Sequence, residues 1–163
     1  MGVGGDGGVP RERRHVRRLV PNEWLCYRGG MGRRWRFPNY SLLAQAVQRE
    51  LERGDVGWAW RILTEAVADS QAASDEELVG IVAGRAEPTG ELRADAGVAA
   101  MAEWLCATRS LPVPRWTQEG WRELDRWWFV VEDEELKRLA LVESPASFAK
   151  RGIFVSLSGL SRL

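Results

Sequence analysis

Nine tryptophans in 163 residues constrain this chain more than any other feature, and seven of them (Trp58, Trp60, Trp104, Trp116, Trp121, Trp127 and Trp128) fall within one stretch. A buried indole removes about 150–250 Å² from water and still needs a partner for its N–H, so this stretch must build a core around its rings. Most of the seven are therefore read as core, and two or three as surface for a partner. Leu111-Pro112-Val113-Pro114 precedes Trp116. Each proline removes a donor and forces its predecessor toward extended geometry, so this run predicts a strap rather than a helix.

Around the strap the apolar spacing is helical. Leu42, Leu43, Ala46, Val47 and Leu51 recur near period 3.6 behind Ser41 as N-cap, and Gly54 ends that helix. Asp55 caps a second helix with Val56, Ala59, Trp60, Leu63 and Val67 in one stripe and Trp58 and Ile62 on another face. Ser74 with Glu77 forms a capping box before Leu78, Ile81 and Val82. Glu87-Pro88-Thr89-Gly90 interrupts, and an alanine-rich helix over residues 91–108 turns Val98, Met101, Ala102 and Leu105 one way, with Trp104 to the side.

Beyond the strap, Trp121 and Leu124 suit one helical turn, and Trp127 to Val131 reads equally as strand or buried turn. If Trp127 is core, its replacement by alanine costs about 3–5 kcal/mol; an unaltered melt places it at the surface. Residues 134–143 form a helix with Leu136, Leu139 and Ala140 inward and Asp133, Glu134 and Glu135 at its positive end. Ser144 caps a further turn through Phe148 with Pro145 at its first position, Gly152 is its left-handed C′ residue, and Ile153-Phe154-Val155 is a minimal strand. Leu157, Leu160 and Leu163 close the core. The expected fold is mainly α: a small irregular helical bundle over residues 39–163 with a proline-rich strap and at most a minimal β element near the C-terminus.

Residues 1–38 read as a poorly ordered, Gly-rich and basic extension. They hold nine arginines against three acids, a net of +6, which leaves −6 for the rest of this neutral chain. Three readings stay open: a phosphate-binding tail, a dispensable start with Met31 as the initiator in place of Met1, and a solvated tail. The 21 arginines against two lysines are taken as the mark of a GC-rich genome rather than of guanidinium chemistry. Cys26 and Cys106 stand alone, and neither a spanning apolar run nor a secretory h-region occurs, so the expectation is a cytoplasmic protein with reduced thiols.

Little in the chain suits catalysis. The single histidine, His15, lies in the basic extension, and two isolated cysteines cannot complete a zinc site. Cys106, on an alanine-rich helix, reads as a small buried hydrophobe. Glu132 to Glu135 read as charges serving a helix dipole, and no phosphate-cradling glycine motif is present. The helices joined at Gly54-Asp55 would offer Trp58, Trp60 and Ile62 where a DNA reader needs polar side chains. No enzyme, cofactor or metal is therefore expected.

The ordered succession Glu87-Pro88-Thr89-Gly90, Leu111 to Thr117, Trp127-Trp128-Phe129, Leu141 to Phe148 and Arg151 to Val155 resembles a small helical domain of actinobacteria. That domain occurs alone or behind an Xre-type helix-turn-helix, and its stand-alone forms resemble antitoxin-like partners encoded beside predicted nucleotidyltransferase toxins. The resemblance covers residues 41–163, offers no catalytic residues and implies protein binding. The candidate contacts are Trp58, Trp116 and Trp128, with Arg151 as a polar anchor, because Trp and Arg dominate binding hot spots. The alternative is a transcription-associated regulator whose phosphate contacts are Arg11, Arg13, Arg14, Arg17, Arg18, Arg33, Arg34 and Arg36.

Overall fold

The computed structural model describes Met1 and residues 37–160. The readings placed on the basic extension, its eight candidate phosphate contacts, and the core role of Leu163 lie outside the described residues. Helices α1 (Tyr40–Glu52), α2 (Val56–Ala72), α3 (Asp75–Ala83) and α4 (Leu92–Thr108) come first. Two 3₁₀ turns follow (Arg115–Gln118, Gly120–Arg122), then β1 (Trp128–Phe129), α5 (Glu134–Glu143), α6 (Ala146–Ala149), β2 (Ile153–Phe154) and α7 (Leu157–Leu160). The protein is mainly helical, with a single two-stranded sheet among the described residues. No helix among them is long and apolar enough to cross a membrane.

Helix α4 is the centre. Ala94, Ala96, Ala99, Ala100 and Ala102 are buried along it with Val98, Met101, Leu105 and Cys106, and such small side chains let neighbouring elements approach its backbone closely. Helices α1, α2 and α3, the first 3₁₀ turn, α6 and β2 all pack on it. The extended stretch at Leu111 to Pro114 delivers Trp116 into this core.

The local cap chemistry forms largely as the residues dictate. Asp55 accepts from the Trp58 amide at 3.0 Å. Ser74 and Glu77 exchange both capping-box bonds, and Leu78, Ile81 and Val82 are buried behind them. Gly54 takes positive φ after α1. Helix α1, however, is capped by Asn39 and not Ser41: the Asn39 side chain accepts from the Leu42 amide at 3.0 Å, two residues earlier than expected. Its buried face consequently runs through Tyr40, Leu43, Ala44 and Val47. In α2 the buried face is Ala59, Ile62, Leu63, Ala66 and Ser70, so Ile62 belongs to the core and Val56 to the surface.

Strands β1 and β2 pair in parallel, Trp128 opposite Ile153 and Phe129 opposite Phe154. The Trp128 amide donates to the Gly152 carbonyl at 2.8 Å and the Val130 amide to Phe154 at 3.1 Å. Ser144 ends α5 instead of capping α6: its hydroxyl accepts from the Val155 amide at 2.8 Å and lies 3.0 Å from the Val155 carbonyl, pinning the end of β2. Pro145 occupies the N-cap of α6. Leu160 is buried and Leu157 exposed.

Gly152 adopts φ 74°, and a Cβ there would lie 3.3 Å from the Leu124 carbonyl oxygen. Gly152→Ala is therefore expected to destabilise the protein by about 1 kcal/mol from the left-handed backbone alone. The close carbonyl adds to that cost. Chemical denaturation checks this, and an unchanged midpoint would remove Gly152 from the turn that feeds β2.

Candidate interaction surface and apolar pocket

The four residues expected to contact a partner separate into two pairs. Trp58 is 38% exposed on α2, with the Arg61 guanidinium 5.4 Å from its ring centre. Trp128 is half-buried, packs on Trp60 at 5.2 Å between ring centres, and carries the Arg93 guanidinium at 5.3 Å. Trp116 and Arg151 are interior, which corrects the expectation for both. The Trp116 indole donates to the Val82 carbonyl at 2.9 Å and meets Tyr40 edge-on. A ring that must satisfy its own N–H inside the core is not free to face another chain.

Arg151 is 2% exposed because three groups capture its charge: the Ser147 and Thr117 carbonyls and the Glu103 carboxylate, the last at 2.8 Å. Glu103 also receives Lys150 at 2.6 Å and Gln118 at 3.0 Å. Partial burial raises the Glu103 pKa, but the bonds from Lys150 and Arg151 outweigh it and hold the carboxyl below its ordinary value.

Sequence reasoning missed a second interior arginine. Arg122 lies between the rings of Trp121, at 4.0 Å, and Trp116, at 4.8 Å, donates to the Ala86 carbonyl and pairs with Glu119 at 3.2 Å. Arg109 uses its fork on the open end of α2, reaching the Gln71 and Ala73 carbonyls at 2.6 Å each. Arg109, Arg122 and Arg151 thus make contacts that suit the planar guanidinium. The available signal was Arg122 beside Trp121, since indole faces and guanidinium planes stack.

Two apolar features reach the surface. The first is α5. Leu136 and Leu139, expected inward, are 45% and 39% exposed, and with Val142 at 85% they make an i, i+3, i+6 ridge; only Ala140 of this helix is buried. Trp127 is 69% exposed, so it is not a core ring; it leans on Phe154, which stacks on Phe129, and α5 packs on the strand containing Phe154. The acids before α5 serve the helix as expected: Asp133 accepts from the Glu135 and Leu136 amides, each at 3.0 Å.

The second is a pocket of about 360 Å³ between α1, α2, α4 and the sheet, walled by residues including Trp60, Leu63, Val67, Gly97, Met101 and Trp128. Its few polar lining groups are already engaged. The Tyr40 hydroxyl donates to Ser70 and the Thr64 hydroxyl to the Arg61 carbonyl. Burial pushes the Tyr40 phenol up to about 12, so it stays neutral. Among the described residues no group of three or more His, Cys, Asp or Glu is placed to hold a metal ion.

No protein-family model, curated protein or solved structure matches the chain.

Proposed function

We propose that this chain is a non-catalytic, cytoplasmic protein-binding module, an antitoxin-like partner of a cognate protein encoded beside it, docking through α5 and the aromatic edge of β1. The observation carrying the reading is the exposed Leu136, Leu139 and Val142 ridge on α5, which packs on β2, the strand whose Phe154 also supports the exposed Trp127 indole. Single exposed hydrophobes are ordinary on protein surfaces, but a row of them on one helix together with an exposed tryptophan has the composition of an interface core. Charge specifies the occupant. Glu132 to Glu135 open this helix, and residues 39–163 carry a net of −6, so the complementary surface is an apolar groove with a basic rim. A protein that handles nucleotides needs such a basic cleft for phosphates, and a nucleotidyltransferase-type toxin is the partner that the sequence resemblance implies. Of the original candidates, Trp58 and Trp128 stay as secondary contacts.

Co-expression with the product of the adjoining gene is expected to yield a complex that co-purifies. The double substitution Trp127→Ser and Val142→Asp should weaken it at least about 30-fold, the effect of losing roughly 2 kcal/mol of hot-spot contact, without shifting the melt of the isolated chain. Failure to co-purify, together with a neighbour that is harmless in the absence of this chain, would overturn the reading.

A further inference from the structure

The pocket is a separate feature from the α5 ridge and calls for its own occupant. Protein interiors are packed to the density of organic crystals and leave few voids larger than a water molecule, whereas this recess holds about 360 Å³, within the range of small-molecule sites. Gly97 lines it from α4, and a Cβ built there would meet no atom within 4 Å. A glycine inside a helix sacrifices stability relative to alanine, and here no neighbouring atom demands it. Its effect is to leave the wall open. Met101, one turn further along, contributes an unbranched side chain that adapts its shape to a guest.

The wall is apolar and its polar groups are engaged internally, so the enclosed part of the guest must be hydrocarbon. A charge stands over one wall residue, although it does not itself line the pocket. Arg93 lies one turn before Gly97 on α4, is exposed, sits over Trp128 of the wall, and has no carboxylate partner among the described residues. We infer that the pocket binds an anionic amphiphile, a single-chain carboxylate whose tail lies between Trp60 and Met101 and whose head meets Arg93.

Sodium decanoate, titrated below its micellar range into the full chain, tests this by tryptophan emission and calorimetry. One saturable site per chain is expected, with 1-decanol binding at least tenfold more weakly. Arg93→Gln should bring decanoate down to the affinity of decanol, and Gly97→Leu, which fills the pocket, should abolish both while the circular dichroism spectrum is kept. If Gly97→Leu does not fold, Val67→Phe from the opposite wall carries the same expectation. Absence of saturable binding, or full binding by a folded pocket-filling variant, overturns the site. Equal affinity for decanoate and decanol overturns the anionic assignment. None of these outcomes bears on co-purification with the neighbouring protein, so the two readings stand or fall separately.

Discussion

Replacing Trp116 by alanine is expected to destabilise the protein by about 4 kcal/mol, the usual range for an aromatic core truncation being roughly 3–5 kcal/mol. The ring is 7% exposed and belongs to the main core cluster. Two further losses accompany the cavity. The Val82 carbonyl loses the indole donor, and Arg122 loses one of the two faces that sandwich its guanidinium. Against a total stability of about 5–15 kcal/mol for a domain, this is a large fraction. Urea denaturation at pH 7 reads it directly. A loss under about 1 kcal/mol would mean that the ring does not hold strap and core together.

Glu103→Gln is expected to cost about 3 kcal/mol at neutral pH, because removing one partner leaves the Arg151 charge inside the protein without its carboxylate. The effect must also depend on pH, and its sign is fixed. The folded carboxyl titrates below its ordinary value of 4.5, so the folded state holds that proton less tightly than the unfolded chain does. The stabilisation is complete above the ordinary value and is lost as pH falls through the lowered folded one. The stability gap between wild type and variant should therefore narrow between about pH 7 and about pH 3. Asp95 runs the other way: burial raises its pKa above the ordinary 3.8, against the bonds from Thr89, and its ionisation erodes stability as pH rises. It is common to both proteins and drops out of the difference. A gap that stays constant across this range would show that Glu103 contributes shape rather than charge.

Much of the architecture was legible because cap chemistry is local. Ser74 and Glu77 define the start of α3 by themselves, as do Gly54 the end of α1 and Gly152 the turn before β2. The misplacements have equally specific causes. Asn39 and Ser41 are both competent caps two residues apart, and spacing alone does not choose between them. Trp127 and Trp128 are neighbours, and only the register with Ile153 and Phe154 determines which ring turns toward Trp60 and which toward solvent. Periodicity found the apolar face of α5 but could not say that most of it is left uncovered. The interior positions of Trp116, Arg122 and Arg151 depend on carbonyls supplied from 34 to 36 residues away, such as Val82 and Ala86, and no short window contains that information. The pocket is likewise a property of several helices together; Gly97 was its one local trace.

The stretch from Val131 to Glu143, ahead of α6, leaves and rejoins the body alongside one strand, β2. Backbone bonds from Trp128 and Val130 fasten its start, the Ser144 hydroxyl clasps its return at Val155, and α4 carries the rest of the fold independently. A helix mounted in this manner is an exchangeable cassette. Its outward residues can drift, or be redesigned, toward a new recognition target while the alanine spine stays constant, so divergence among descendants of this chain should concentrate between Val131 and Glu143.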